Sequence, residues 1–296
     1  MSKELRAEFK TALLKKRPKL SVSSQTTYAS LLMSLSKNTK SETVEGVLKS
    51  EKENLKYIEG LKSVSAQKTL LSALWILTEN EAYQKVMVEH IKTTNDKYRN
   101  STVSENRKNS YLSPAQLTAR FNKSKEDLKV SPSVQHYVDY LICALMTGQY
   151  TPPRRLEWSQ VKWKNYDVKT DNFLDIKKST VVFNQYKTVN KFGQQTVKVD
   201  SEVMKVIKKW IKINDSDYLL TSASQKQLSA SALSGRIGAI FGDKTIGIDV
   251  IRSIYISDIY SRPLPSQFEL EKIATQMSHS VASQMAFYRK VDIKAK

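Results

Sequence analysis

Met277-Ser-His279-Ser-Val-Ala-Ser-Gln-Met-Ala-Phe-Tyr288, close to the end of the chain, sets a histidine and a tyrosine nine residues apart. Isolated arginines stand upstream, Arg154 in Pro152-Pro-Arg-Arg-Leu-Glu157 and Arg252 in Asp249-Val-Ile-Arg-Ser-Ile254. A histidine and a tyrosine at this interval, preceded by arginines from distant segments, point to a covalent nucleophile beside a phosphate clamp rather than to core packing.

Charge supports that direction. The 296 residues carry 48 Lys and Arg against 29 Asp and Glu, a formal net charge of +19. Such an excess exceeds what a soluble surface needs and implies a polyanionic partner. Residues 1–110 hold 20 basic and 12 acidic side chains, and residues 111–296 hold 28 and 17. Basic charge in both halves suits a protein that grips duplex DNA from two sides better than a neutral enzyme with a basic tail. A generally lysine-rich proteome is the competing account. A hydrophobic content of 40% argues against a disordered chain and allows two domains, each with its own core. The single cysteine, Cys143, lies in an apolar run and reads as a small buried hydrophobe, so no intrachain disulfide or cysteine-based zinc site can form. No apolar signal core opens the chain and no run reaches the length of a membrane span. Together these features imply a reducing intracellular compartment, cytosol or nucleus.

Residues 1–105 read as an all-helical domain. Apolar stripes at helical spacing predict four helices, over residues 23–35, 43–61, 66–77 and 81–97. Residues 100–113 are polar and aperiodic, a linker that places the domain boundary near 105. In the second domain, residues 106–296, Ser113-Pro114 caps a helix, and a strongly apolar helix over 134–147 ends at Gly148. Alternating segments at 161–163, 173–176, 180–183 and 195–199 predict a small antiparallel sheet. Helical patterns resume at 201–213, 229–240, 250–260, 268–277 and 280–288. The class is mostly α with a small antiparallel sheet, α+β.

The residues that could carry chemistry occur in the order Arg154, Lys187, Arg252, His279, Tyr288. Attack on a phosphodiester builds negative charge on the nonbridging oxygens, and guanidinium forks match those oxygens in charge and geometry. A phenol needs a cationic site before it becomes a nucleophile. The departing oxygen needs a proton, which a lysine could supply. Each residue has a competitor. Arg155 adjoins Arg154, although the spacing to Glu157 favours Arg154. Lys191 shares the turn of Lys187, His279 could be a helix cap, and Tyr288 is one of 14 tyrosines. Arg252 stands beside Ile248, Val250, Ile251 and Ile254 and reads as a half-buried clamp.

Arg154-x-x-Glu157, Tyr186-Lys187-Thr188, Arg252, Met277-Ser-His279-Ser280 and Tyr288, in this order, resemble the boxes of the tyrosine recombinase and integrase family, whose catalytic domain shares its fold with type IB topoisomerases. The resemblance covers residues 111–296, and the helical N-terminal domain is similar to the family's core-binding domain. It implies a two-domain clamp on double-stranded DNA and site-specific recombination through a 3′-phosphotyrosyl intermediate. It also implies a homotetramer on two sites, no cofactor or metal, and an origin in a virus or mobile element. One position departs from the pattern: where the family usually carries histidine, or lysine in topoisomerases, this chain has Asp249. That carboxylate would have to be turned away, neutralised, or used to accept the tyrosine proton. A type IB topoisomerase and a catalytically silent DNA-binding protein are the alternatives.

Overall fold

The structure, a computed structural model, describes residues 2–99 and 111–290. It divides into two compact units, residues 1–97 and 98–296. The boundary near 105 and most of the expected linker lie outside the described residues.

The first unit contains six helices among the described residues: α1 (Ser2–Lys16), α2 (Val22–Thr39), α3 (Val44–Lys49), α4 (Glu51–Glu59), α5 (Val64–Thr78) and α6 (Glu81–Arg99). The expected count of four is therefore corrected at two places. Helix α1 is dominated by charge, yet Leu5, Phe9 and Leu13 recur every fourth residue and all three are buried. The segment expected as one helix over 43–61 breaks at Ser50, whose φ of −92° and ψ of 62° are not helical. The break is held by Asn54, fully buried, whose Nδ2 donates to the Val47 carbonyl at 2.7 Å and to the Tyr83 hydroxyl at 3.1 Å. Ser21, Thr43 and Ser63 cap α2, α3 and α5 by accepting from backbone N–H groups of the first turn.

The second unit opens with α7 (Pro114–Val130), entered through a capping box of Ser113 and Gln116, and α8 (Val134–Met146). Tyr140 to Met146 are buried without interruption, so α8 forms the spine of this core. Four strands follow, β1 (Val161–Lys162), β2 (Asn172–Asp175), β3 (Thr180–Phe183) and β4 (Gln195–Lys198), ordered β1-β2-β3-β4. Strands β2, β3 and β4 are antiparallel, with Phe173 opposite Val182 and Val181 opposite Val197. The sheet is nevertheless mixed, because β1 pairs parallel to β2. On its far edge β1 meets a later segment in antiparallel fashion, Lys162 opposite Tyr218, where Trp163 N donates to the Asp217 carbonyl and Leu219 N to the Val161 carbonyl, both at 2.8 Å. A short helix, α9 (Val189–Phe192), sits in the connection between β3 and β4.

Helices α10 (Ser201–Trp210), α11 (Ala230–Phe241), α12 (Ile248–Ser261) and α13 (Gln267–Gln276) complete the body of the unit. One turn of helix, α14 (Val281–Ser283), runs into a wide π-type turn, Gln284–Tyr288. Gly148, at the end of α8, has φ +88°, and a Cβ there would stand 2.4 Å from Cδ2 of Tyr255 on α12. The absence of a side chain is what lets the chain leave α8 beneath α12 and run on to the arginine pair.

Candidate active site

Five segments of the second unit converge on one cavity of about 480 Å³. Its walls include Arg155, Lys187, Lys191, Asp249, His279 and Tyr288. Arg154 and Arg252 lie behind this surface, 1% and 0% exposed. All the residues singled out by order and spacing are thus brought together in this region, two of them as buried charges and the others on the cavity wall.

Arg154 and Arg155 precede a 3-10 turn, Leu156–Gln160, and Arg155 has extended backbone. Successive side chains on extended backbone leave on opposite sides. Arg154 turns inward: Nη1 donates to Gln195 Oε1 at 2.5 Å and to the Gln276 carbonyl at 2.8 Å. Its Nη2 lies 3.2 Å from Glu157 Oε1, the pairing that the Arg-x-x-Glu spacing implies. The rings of Phe183 and Tyr186 cover its Cζ at 4.2 and 5.2 Å. Arg155 turns outward into the cavity, and its Nη2 donates to Tyr288 Oη at 2.9 Å.

Arg252 is more deeply placed than the half-buried position expected for it. It projects from α12 among Ile248, Val250, Ile251 and Ile254 and donates from Nη1 to the Pro153 carbonyl at 3.2 Å and from Nη2 to the Met277 carbonyl at 3.1 Å. Its Cζ lies 4.6 Å from the centroid of the Tyr288 ring. Burial pushes both Arg154 and Arg252 below the usual guanidinium range. The part-buried Glu157 carboxylate on the cavity wall pairs with Arg154, while Arg252 has no carboxylate in ion-pair contact among the described residues, so the two guanidinium groups keep an excess of positive charge.

Between α13 and α14 the chain makes a strained corner at Ser278, a non-glycine residue with φ +61°. Residues of this kind cost about 1–2 kcal/mol, and here the corner delivers His279. Ser278 Oγ donates to Gln195 Oε1 at 3.2 Å, and Thr188 Oγ1 donates to the Ser278 carbonyl at 3.1 Å. The second contact ties the β3–β4 connection, which carries Lys187 and Lys191, to the histidine segment. His279 stacks on Tyr288, with centroids 5.0 Å apart and planes inclined by 22°. Burial first, then the charges of Arg252 and Arg155, lowers the His279 pKa to about 3. Because Nδ1 lies 3.2 Å from the Ser280 carbonyl, which can only accept, Nδ1 carries the hydrogen. Nε2 is then an unprotonated lone pair, buried and without a partner among the described residues.

Tyr288 closes the wide turn and is 6% exposed. Ser257 on α12 fixes its backbone, donating from Oγ to the Tyr288 carbonyl at 3.3 Å and accepting from Lys290 N at 2.9 Å. Asp249 is exposed on the first turn of α12, where it lines the cavity, and its carboxylate makes no hydrogen bond or ion pair among the described residues. Lys187 and Lys191 are likewise exposed on the cavity wall.

Sequence reading passed over Gln195, Thr188, Ser257 and the outward turn of Arg155. Gln195 had a signal: it takes an inward position in the alternation Gln195-Thr-Val-Lys-Val199, where a polar side chain needs an inward partner. Thr188 and Ser257 carry none, being small hydroxyl residues whose partners come from remote segments.

Among the described residues, no three His, Cys, Asp or Glu side chains gather as metal ligands, and no helix is long and apolar enough to cross a membrane. No family model matches the chain, and no curated protein does. Among solved structures it is similar to the crystal structure of XerA recombinase, over 97% of this chain and 94% of that one, with 14% sequence identity and a TM-score of 0.43.

Proposed function

We propose that this chain breaks and rejoins DNA strands as a site-specific recombinase of the tyrosine type, with Tyr288 as the nucleophile. The observation that carries the reading is the setting of the Tyr288 hydroxyl. It receives a hydrogen bond from Arg155, its ring covers the buried guanidinium of Arg252, and the wall behind holds more positive than negative charge. Buried cations in excess are costly unless an anion arrives to neutralise them, and a scissile phosphate beside a tyrosine hydroxyl is such an anion.

In this reading Tyr288 Oη loses its proton, bonds to phosphorus and displaces the 5′ oxygen, which takes a proton from Lys187 on the β3–β4 connection. The DNA is left joined through its 3′ phosphate to the tyrosine, with a free 5′ hydroxyl. Attack by that hydroxyl, or by one on a second duplex, reverses the step without an external energy source. Arg252 and Arg154 stabilise the charge on the nonbridging oxygens. His279 holds the ring of Tyr288 by stacking, and Asp249 at the rim is a carboxylate available to accept the phenolic proton. Residues 1–110, with 20 basic and 12 acidic side chains, add further positive charge for duplex DNA, and a tetramer on two sites is what the family resemblance implies.

The unpaired Asp249 carboxylate favours a second reading, recognition of DNA without cleavage, because a free negative charge opposes a developing phosphorane dianion. Nicked duplexes of varied sequence, which trap cleavage by releasing the strand beyond the nick, separate the two. An active site of the proposed kind gives a detergent-resistant protein–DNA adduct that Asp249→Asn diminishes while leaving binding intact. A silent binder gives no adduct from the wild type but acquires one in Asp249→His.

A further inference from the structure

The three arginines of the site differ in where their guanidinium groups sit and in what they bond. Arg154 is engaged by Gln195, the Gln276 carbonyl and Glu157 and roofed by two aromatic rings. Arg252 is engaged by the carbonyls of Pro153 and Met277 and covered by Tyr288. Arg155 is the arginine on the cavity wall. Its extended backbone, with φ −75° and ψ −159°, sends its side chain away from that of Arg154. Among the described residues, the Tyr288 hydroxyl is its hydrogen-bond partner.

Resting on the reading of Tyr288 as nucleophile, we infer that Arg155 is the positioning residue for that hydroxyl and the cation that stabilises the oxygen as its proton leaves. The chemistry of the pair favours this role. A guanidinium has donors and no acceptor, so it can bind Tyr288 Oη only through an oxygen lone pair. The hydroxyl hydrogen must then point elsewhere, free for an acceptor such as Asp249 in the same cavity. A guanidinium also keeps its charge at any working pH, so its hold on the oxygen strengthens as the phenol becomes a phenolate. A neutral donor would lack that gain, and the hydrogen bonds of Arg154 and Arg252 run to other partners than Tyr288 Oη. No proton passes through Arg155: Oη gives its proton to the acceptor, the bond from Oη to phosphorus forms, and the bond from phosphorus to the 5′ oxygen breaks.

Full-length Arg155→Ala and Arg155→Lys, assayed for adduct formation on the nicked duplexes, test the inference. Arg155→Ala is expected to form adduct on the order of 10²-fold more slowly, the scale for loss of a positioned donor at a developing oxyanion. Its DNA affinity and melting temperature should stay close to wild type. Added guanidinium chloride, far below unfolding concentrations, should restore part of the rate, whereas equal urea should not, and Arg155→Lys should fall between the two. Adduct formation by Arg155→Ala at the wild-type rate, with none from Tyr288→Phe, would overturn the role of Arg155 and leave the nucleophile standing. A loss that comes with a lowered melting temperature and resists guanidinium would also overturn it, as the mark of a structural contact. If the wild type forms no adduct at all, the reading of Tyr288 fails and the role of Arg155 falls with it.

Discussion

An imidazole buried between cations cannot hold a proton cheaply, and His279 shows the consequence. Burial, with Arg252 and Arg155 close by, sets its pKa at about 3 against 6.5 for an exposed histidine. Between those values the unfolded chain binds a proton that the folded chain does not. The stability contributed by neutral His279 is therefore complete above pH 6.5 and is lost as pH falls toward 3, at up to about 1.4 kcal/mol per pH unit. Urea midpoints near pH 7 and pH 5 measure this: His279→Gln should lose less stability between them than the wild type, and equal losses would mean that the folded protein holds a charged imidazole. Lys187 makes a separate prediction. Because it and Lys191 line the same cavity, proximity does not distinguish them, but chemistry does. Lys187→Ala should be rescued by a substrate with sulfur at the 5′ bridging position, since a thiolate departs without a proton from a general acid. Lys191→Ala should show no rescue, and the reverse pattern would move the acid along the turn.

The elements around the site were legible to different degrees. Helices α7, α8, α10, α11 and α12 could be read because their apolar faces recur at helical spacing, and Ser113, Ser133, Asp200 and Ser229 mark the starts of the first four. Helix α1 was missed because charged residues surround its line of Leu5, Phe9 and Leu13, and the break at Ser50 because no glycine or proline announces it. The parallel pairing of β1 was illegible locally, since β1 is two residues long and its other edge is held by Asp217 and Leu219, more than fifty residues away in sequence. The same physics limited the reading of the site. Order and spacing could name Arg154, Lys187, Arg252, His279 and Tyr288, and the family resemblance Asp249, but which of two adjacent arginines faces inward depends on backbone angles outside any regular element. Gly148 shows how far one such angle matters. Its positive φ and its approach to Tyr255 set the path from α8 to the arginine pair. Gly148→Ala should destabilise the protein by at least about 2 kcal/mol, since both an unfavourable φ and an overpacked contact would be imposed. A shift in the urea midpoint measures this, and an unchanged midpoint would show that α8 and α12 can separate without cost.

At the scale of the whole molecule the dominant feature is charge. A net +19, distributed through both halves of the sequence, suits a partner with a dense and regular array of anions. The logarithm of the affinity for duplex DNA should fall linearly with the logarithm of salt concentration, with a slope steeper than about −4 if five or more phosphates are neutralised. A nearly flat dependence would separate the charge from DNA binding. Composition alone could carry the argument this far, because electrostatic attraction needs no knowledge of the fold; the chemistry needed the convergence of distant segments on Tyr288. The most direct test of that chemistry is to digest the adduct formed on nicked duplexes with protease and nuclease and to locate the nucleotide by mass spectrometry. The account predicts a 3′-linked nucleotide on Tyr288 and no adduct from Tyr288→Phe. A nucleotide on any other residue, or an adduct that survives Tyr288→Phe, would contradict it.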